Sequence, residues 1–200
     1  MIKDATNGLT ASRGALGVTI RKFLREPNDP ARVNHAMGLF LMTQERYDYL
    51  VKAKNLKLPS EWVGQWCVIE ADFKVKITPW DEYKKKNLDI YLFTHTKWSR
   101  TQRNAVVDAW LEDAGGSYSI PLLVVQGLDK IRRWIGRRSN LVARFGPEAR
   151  ICSKFTASGD CKAGYCSFDN KLPWECDPDD MWDEFHARPE VWESEKVLDF

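Results

Sequence analysis

Four apolar segments stand close together in the middle of this chain, and they constrain its folding more than any other feature. They are residues 33–42 ("VNHAMGLFLM"), 65–73 ("QWCVIEADF"), 74–80 ("KVKITPW") and 88–95 ("LDIYLFTH"). The first two are nearly continuous apolar runs of strand length, the third alternates as a half-exposed strand does, and the fourth is a strand again. A helical stretch at about Gln44 to Lys54 and a turn at "LPSEWVG" separate the first from the second. Short connections between consecutive strands favour antiparallel pairing, because parallel strands need long crossovers.

Helical patterns flank this block. "SRGALGVTIRKFLR", from about Ser12 to Arg25, carries Leu16, Ile20, Phe23 and Leu24 on one stripe, with Pro27 beyond it. "SRTQRNAVVDAWLEDAGG" sets Val106, Val107, Trp110, Leu111 and Ala114 on one face, with Ser99 or Thr101 to cap it and Gly115-Gly116 to close it. "IPLLVVQGLDKIRRWIG" has Pro121 near its start. A short helix is expected to open at Cys152, and another follows Asp177 as cap with Pro178 at the first helical position. Together these predict an α+β fold, a central antiparallel sheet packed against helices. The 200 residues suit a single domain, with about 160–200 as a C-terminal extension packed on it.

A hydrophobic content of 44% and nine Trp give enough material for a core. No run approaches the ~18 apolar residues of a membrane span, and "MIKDATNGLTASRG" lacks the basic-then-apolar layout of a secretory signal. The expectation is a cytoplasmic protein, or one delivered by a phage without a signal of its own. A net charge of +2 implies no nucleic-acid partner. The charge is unevenly spread: eight Lys/Arg against Asp129 and Glu148 from Gln126 to Lys154, then nine acidic residues against Arg188 and Lys196 from Asp177 onward. This reads as a solvated basic helix with an acidic tail folded against it. The alternative is a basic 130–138 segment that touches a membrane or another anionic surface.

Five cysteines, at 67, 152, 161, 166 and 176, are an odd number, which argues against a disulfide framework in a chain without a signal. Cys161, Cys166 and Cys176 lack a fourth ligand and the paired spacing of a zinc site. The expectation is therefore free or opportunistically paired thiols, with no metal and no cofactor. There is no Gly-rich phosphate loop, no paired His on a helix and no GxSxG elbow.

Two polar residues inside the apolar strands need a partner or a purpose. His35 lies in "VNHAMGLFL" and Glu70 in "CVIEA", and burial of either is costly unless it is hydrogen-bonded or paired. If their strands are neighbours, Glu70 can hold one imidazole nitrogen and stabilise the charged ring. A thiol opening a helix, as Cys152 is expected to, feels the partial positive charge of unsatisfied N–H groups. Cys152 is then a buried apolar filler, half of a disulfide, or a nucleophile. Of the other histidines, His95 falls at the exposed end of its strand beside Thr and Lys, and His186 packs on the surface of the acidic tail.

The order and surroundings of these residues resemble the circularly permuted papain-like cysteine hydrolases of the NlpC superfamily. "NGLTASRGALGVTIRKFL…NHAMGLFL" resembles their opening helix and histidine strand, and "WCVIEADFKVKITPWDEY" the strand pair that follows. "DIYLFTHTKWSRTQRNAVVDAWLEDAGGSYSI" is similar to their strand, helix and Gly-x-x-Tyr turn, "RICSKFTASG" to their nucleophile motif, and "DPDDMWDEF…PEVW" to their closing helix. Ordinary members place Cys before His, whereas this chain has His, Glu, then Cys. The resemblance implies Cys152 as nucleophile, His35 as general base and then acid, Glu70 as the orienting residue, and Tyr118 lining a substrate cleft. It implies a permuted papain-like fold and a cysteine amidase working through a thioester, with a peptidoglycan stem peptide as substrate. Lipid acyl transfer or hydrolysis on an amide or ester lipid is the alternative within the same chemistry. A binding or virion structural protein that keeps the fold without activity is the contrasting class.

Overall fold

The computed structural model describes residues 2–12, 32–71, 74–86, 88–116, 152–166, 168, 171–173 and 176–197. The helix expected from Ser12 lies outside these beyond Ser12 itself, as do the helix at Pro121, Tyr118 and the basic 130–138 segment.

The described residues form a mixed α+β structure around one six-stranded antiparallel sheet. Its strands are β1 (Thr6–Ser12), β2 (His35–Leu41), β3 (Trp66–Ala71), β4 (Val75–Pro79), β5 (Leu88–His95) and β6 (Trp192–Val197), in the spatial order β4-β3-β2-β1-β5-β6. The helices are α1 (Gln44–Lys52), α2 (Trp80–Tyr83), α3 (Arg100–Glu112), α4 (Cys152–Lys162) and α5 (Pro178–Ala187), with a 3₁₀ turn at Ser60–Trp62. The four apolar segments are β2 to β5. β1 and β6 lie outside them: the chain inserts β1 between β2 and β5, and β6 adds to the far edge beside β5. As an edge strand β6 is short and mostly exposed, with Glu193, Glu195 and Lys196 facing water. Charge of that kind discourages edge-to-edge pairing.

Alternation along the strands divides the interior into two faces. Leu9, Ala36, Phe40, Ile69 and Phe93 belong to the larger core, with Val106, Trp110, Phe155, Met181 and Phe185 from α3, α4 and α5. On the other face Met37, Leu39, Val68, Ile90 and Leu92 pack with Trp80 and Tyr83 of α2. Helix starts follow local chemistry. Ser99 and Gln102 form a reciprocal capping box on α3, and Asp177 and Asp180 form another on α5, which also has Pro178 at its first position.

Helix α4 is seated on the sheet by a close approach. A methyl at Gly38 of β2 would sit 2.5 Å from the Trp110 ring, and one at Gly159 of α4 would sit 2.1 Å from its indole nitrogen. Only glycines leave room for this indole between strand and helix. A second anchor is polar: Asn7 Nδ2 of β1 donates to Asp160 Oδ2 at 2.8 Å, both residues fully buried. Burial pushes the Asp160 carboxyl well up, which favours its neutral form. Just beyond, Cys161 and Cys166 form a disulfide, while Cys67, Cys152 and Cys176 remain free thiols.

One placement corrects the sequence reading. His95 does not stand at an exposed strand end; it is only 8% exposed. Its ring stacks on Trp98 at 4.4 Å and meets Tyr165 and Trp192 edge-on. Both of the latter arrive from far later in the chain, so the local sequence carried no sign of the cover.

Candidate active site

Cys152 is the first residue of α4, His35 the first of β2, and Glu70 lies near the end of β3. Strands β2 and β3 are neighbours with Met37 opposite Glu70. The pleat then puts His35, two residues earlier, diagonally across from Glu70 on the same face. The ring closes that diagonal: His35 Nε2 and Glu70 Oε2 are 3.0 Å apart. With Nε2 engaged, Nδ1 is the nitrogen left for the thiol, and His35 and Cys152 are hydrogen-bonded through their side chains. The structure thus brings together three of the four residues singled out from sequence. The fourth, Tyr118, lies outside the described residues.

Local structure explains the sulfur's surroundings. The backbone groups of Ala36, beside His35, and of Ser153, in the first turn of α4, both hydrogen-bond to Cys152 and favour its charged form. First-turn N–H groups have no intrahelical acceptor, so they are free to serve an anion. Ser153 Oγ donates to the Cys176 carbonyl at 2.7 Å, which ties the start of α4 to the segment before α5.

Electrostatics within the group oppose burial. Desolvation alone would lower the pKa of His35, but the charge and hydrogen bonds of Cys152 and Glu70 raise it to about 10. Desolvation would raise Cys152, yet the imidazolium and the two backbone groups bring it below an ordinary thiol. Burial would also raise Glu70, and its bonds to His35 and Lys86 hold it well below the usual carboxylate range. The arrangement therefore favours a thiolate–imidazolium pair over a neutral thiol and ring. Cys152 is 5% exposed and the His35 side chain 22%, so the opening to solvent lies on the histidine's side.

Sequence reasoning missed three neighbours. Tyr83 Oη donates to Glu70 Oε2 at 2.9 Å and Lys86 Nζ to Glu70 Oε1 at 2.7 Å; Lys76 Nζ stands 3.4 Å from the same oxygen. Tyr83 and Lys86 are three apart in "WDEYKKKN", a helical spacing, but a lysine run after a short helix reads as solvated surface. Lys154, two residues after the cysteine, is buried in the body of α4. A polar groove of about 450 Å³ lies at the opposite end of β2, lined by Asp4, Leu41, Arg46, Asn104 and Asp108 among others. Arg46 there is already taken by Asp4, the Leu41 carbonyl and Asn104. The Cys161–Cys166 bond removes two sulfurs from any zinc set, and among the described residues no cluster of metal-binding side chains occurs. Nor, among those residues, is any helix long and apolar enough to cross a membrane.

No family model matches this chain, and no curated protein does. Among solved structures it is similar to the metalloprotein YiiX of Escherichia coli O157:H7, a DUF1105 protein. Identity is 14% and the TM-score 0.49, over 99% of this chain and 97% of that one, a likeness too low to carry any argument about chemistry.

Proposed function

We propose that this chain is a cysteine hydrolase of the permuted papain-like kind, with Cys152 as nucleophile, His35 as base and acid, and Glu70 orienting the ring. The observation that carries the reading is the hydrogen-bonded series from Cys152 through His35 to Glu70, with the thiol at a helix start. The thiolate of Cys152 attacks the acyl carbon of an amide, and the carbonyl electrons move onto oxygen. N–H groups of the first turn of α4 are suited to stabilise that oxyanion. His35 gives its proton to the departing nitrogen as the C–N bond breaks, leaving a thioester on Cys152. Water then gives a proton to His35 while its oxygen attacks the thioester carbon; collapse of the second tetrahedral intermediate breaks the C–S bond, releases the carboxylic acid and restores the Cys152 thiolate beside the protonated ring.

The resemblance in sequence extends the reading to an amide of a peptidoglycan stem peptide. Transfer or hydrolysis of a lipid acyl group uses the same thioester and differs only in substrate. Alkylation by iodoacetamide near neutral pH is expected to modify Cys152 at least about tenfold faster than Cys67 or Cys176, and His35→Ala to remove that advantage. Equal rates at the three free thiols would sink the reading in favour of a protein that keeps the fold without the chemistry. Cleaved muropeptides or deacylated lipids, compared on the intact chain and on Cys152→Ala, separate the two substrate classes.

A further inference from the structure

Resting on that reading, we infer that Tyr83 and Lys86 are positioning residues that temper Glu70, holding both carboxylate oxygens so that His35 can release the proton it carries. Glu70 is 4% exposed, and both of its oxygens are occupied. Oε2 is shared by His35 Nε2 and Tyr83 Oη; Oε1 is shared by the ammonium groups of Lys86 and Lys76. Orienting an imidazole takes one hydrogen bond, and keeping a buried carboxylate content takes two or three. Here a neutral donor and two cations converge from β4 and the α2 turn on the group that faces the histidine.

These donors are themselves fixed. Tyr83 is fully buried among Met37, Leu39 and Ile90 and hydrogen-bonds Thr10, the residue directly opposite His35 in the β1–β2 ladder. The Lys86 ammonium, besides bonding Oε1, lies 3.9 Å from the centre of the Tyr83 ring. It therefore has two attractive partners that agree on one position. Lys85, the next residue back, is exposed.

The chemistry gives this arrangement a use. His35 faces an anion on each side, Cys152 from α4 and Glu70 from β3, and both strengthen its hold on a proton. An acid that holds its proton too well protonates a leaving group poorly, since general acids work best with a pKa near the working pH. Every donor that drains charge from Glu70 weakens its pull on the imidazolium. Besides His35, the described groups bonded or paired to Glu70 are Tyr83 on Oε2 and Lys86 and Lys76 on Oε1, so they set that pull.

The test follows the three histidine rings by NMR from pH 4 to 11 in the full chain, with His35→Ala assigning the resonance. Tyr83→Phe and Lys86→Met are expected to move the His35 titration upward by about half to one pH unit. Lys86→Arg restores it, and Lys85→Met leaves it in place. In turnover, kcat falls in the two shifted variants while KM stays. If His35 in the unmodified protein titrates near 6.5 and Cys152→Ala does not move it, the thiolate–imidazolium reading itself is wrong. If it titrates high and drops in Cys152→Ala, yet neither Tyr83→Phe nor Lys86→Met shifts it, the tempering role is overturned and the two residues only pack. Lys86 is 38% exposed at its side chain, so that variant folds even where loss of the buried hydroxyl does not permit it.

Discussion

His35 and His95 make a natural pair. Each stands at the end of a strand, the first residue of β2 and the last of β5, and each is largely out of water. Their proton affinities go opposite ways. Burial lowers His95, and the charges of Arg103 and Lys97 lower it further, to about 4; His35 rises to about 10. Aromatic rings and cations surround one, a thiol and a carboxylate the other. Burial acts on both in the same direction, so the charge of the neighbours decides the outcome, and only the ring facing anions is set up to carry a proton at neutral pH.

The strongest way to break this contrast is to convert one environment into the other. Glu70→Gln removes one of the two anions that face His35 and leaves Lys86 and Lys76 beyond it without the intervening charge, a step toward the situation of His95 with Cys152 still on the other side. The His35 titration is expected to fall by about two units or more. The alkylation rate of Cys152 at pH 7 falls at least about tenfold with it, because the thiolate loses its counter-charge. An unchanged rate would mean that Cys152 is activated by the start of α4 alone.

The contrast also shows what was legible beforehand. β2 to β5 were readable because their apolar runs and alternation are intrinsic to each segment. β1 was not, since Thr6, Gly8 and Thr10 deprive one of its faces of apolar side chains and Asn7 interrupts the other, and two of these polar groups meet partners far along the chain: Thr6 Oγ1 with Thr94, and Asn7 Nδ2 with Asp160. β6 was hidden for the opposite reason, being polar because it is an exposed edge. In the site, His35 and Glu70 stood out as polar interruptions of apolar strands, whereas Tyr83 and Lys86 sit in a segment whose composition is that of surface. The sequence could flag a histidine that breaks an apolar run; it had no means to flag one covered by Trp192.

A second, smaller effect concerns stability against pH. His95 has a folded pKa below its ordinary 6.5, so the unfolded chain binds the proton first. The stability its neutral ring contributes is present above pH 6.5 and is lost as pH falls through about 4. His35 and Cys152 behave differently as a unit. The ring is raised and the thiol lowered, so folding favours a proton on nitrogen over one on sulfur, and their contributions to the pH dependence offset one another. Denaturant midpoints for the intact protein and His95→Phe, measured from pH 7.5 to 4, are expected to converge as the pH falls. Subtracting one curve from the other cancels the buried acids Asp160 and Asp180, whose raised pKa values act in the opposite sense. Parallel curves would show that His95 is not held neutral by its surroundings.

The smallest expected change tests whether cations matter at His95 beyond burial. Arg103 cannot be removed cleanly, because its guanidinium also donates to the carbonyls of Asp4 and His95. Lys97 can: its backbone N–H donates to His95 Nδ1 at 3.3 Å, and that bond survives any change of side chain. Retaining it keeps Nδ1 as an acceptor and leaves the ring proton on Nε2. Lys97→Met therefore alters charge while preserving the tautomer and the stack on Trp98. His95 is expected to rise by less than about one unit, well short of its ordinary value, since burial and Arg103 remain. A return all the way to 6.5 would make Lys97 the dominant influence and burial a minor one, and it would undo the symmetry on which the comparison with His35 rests.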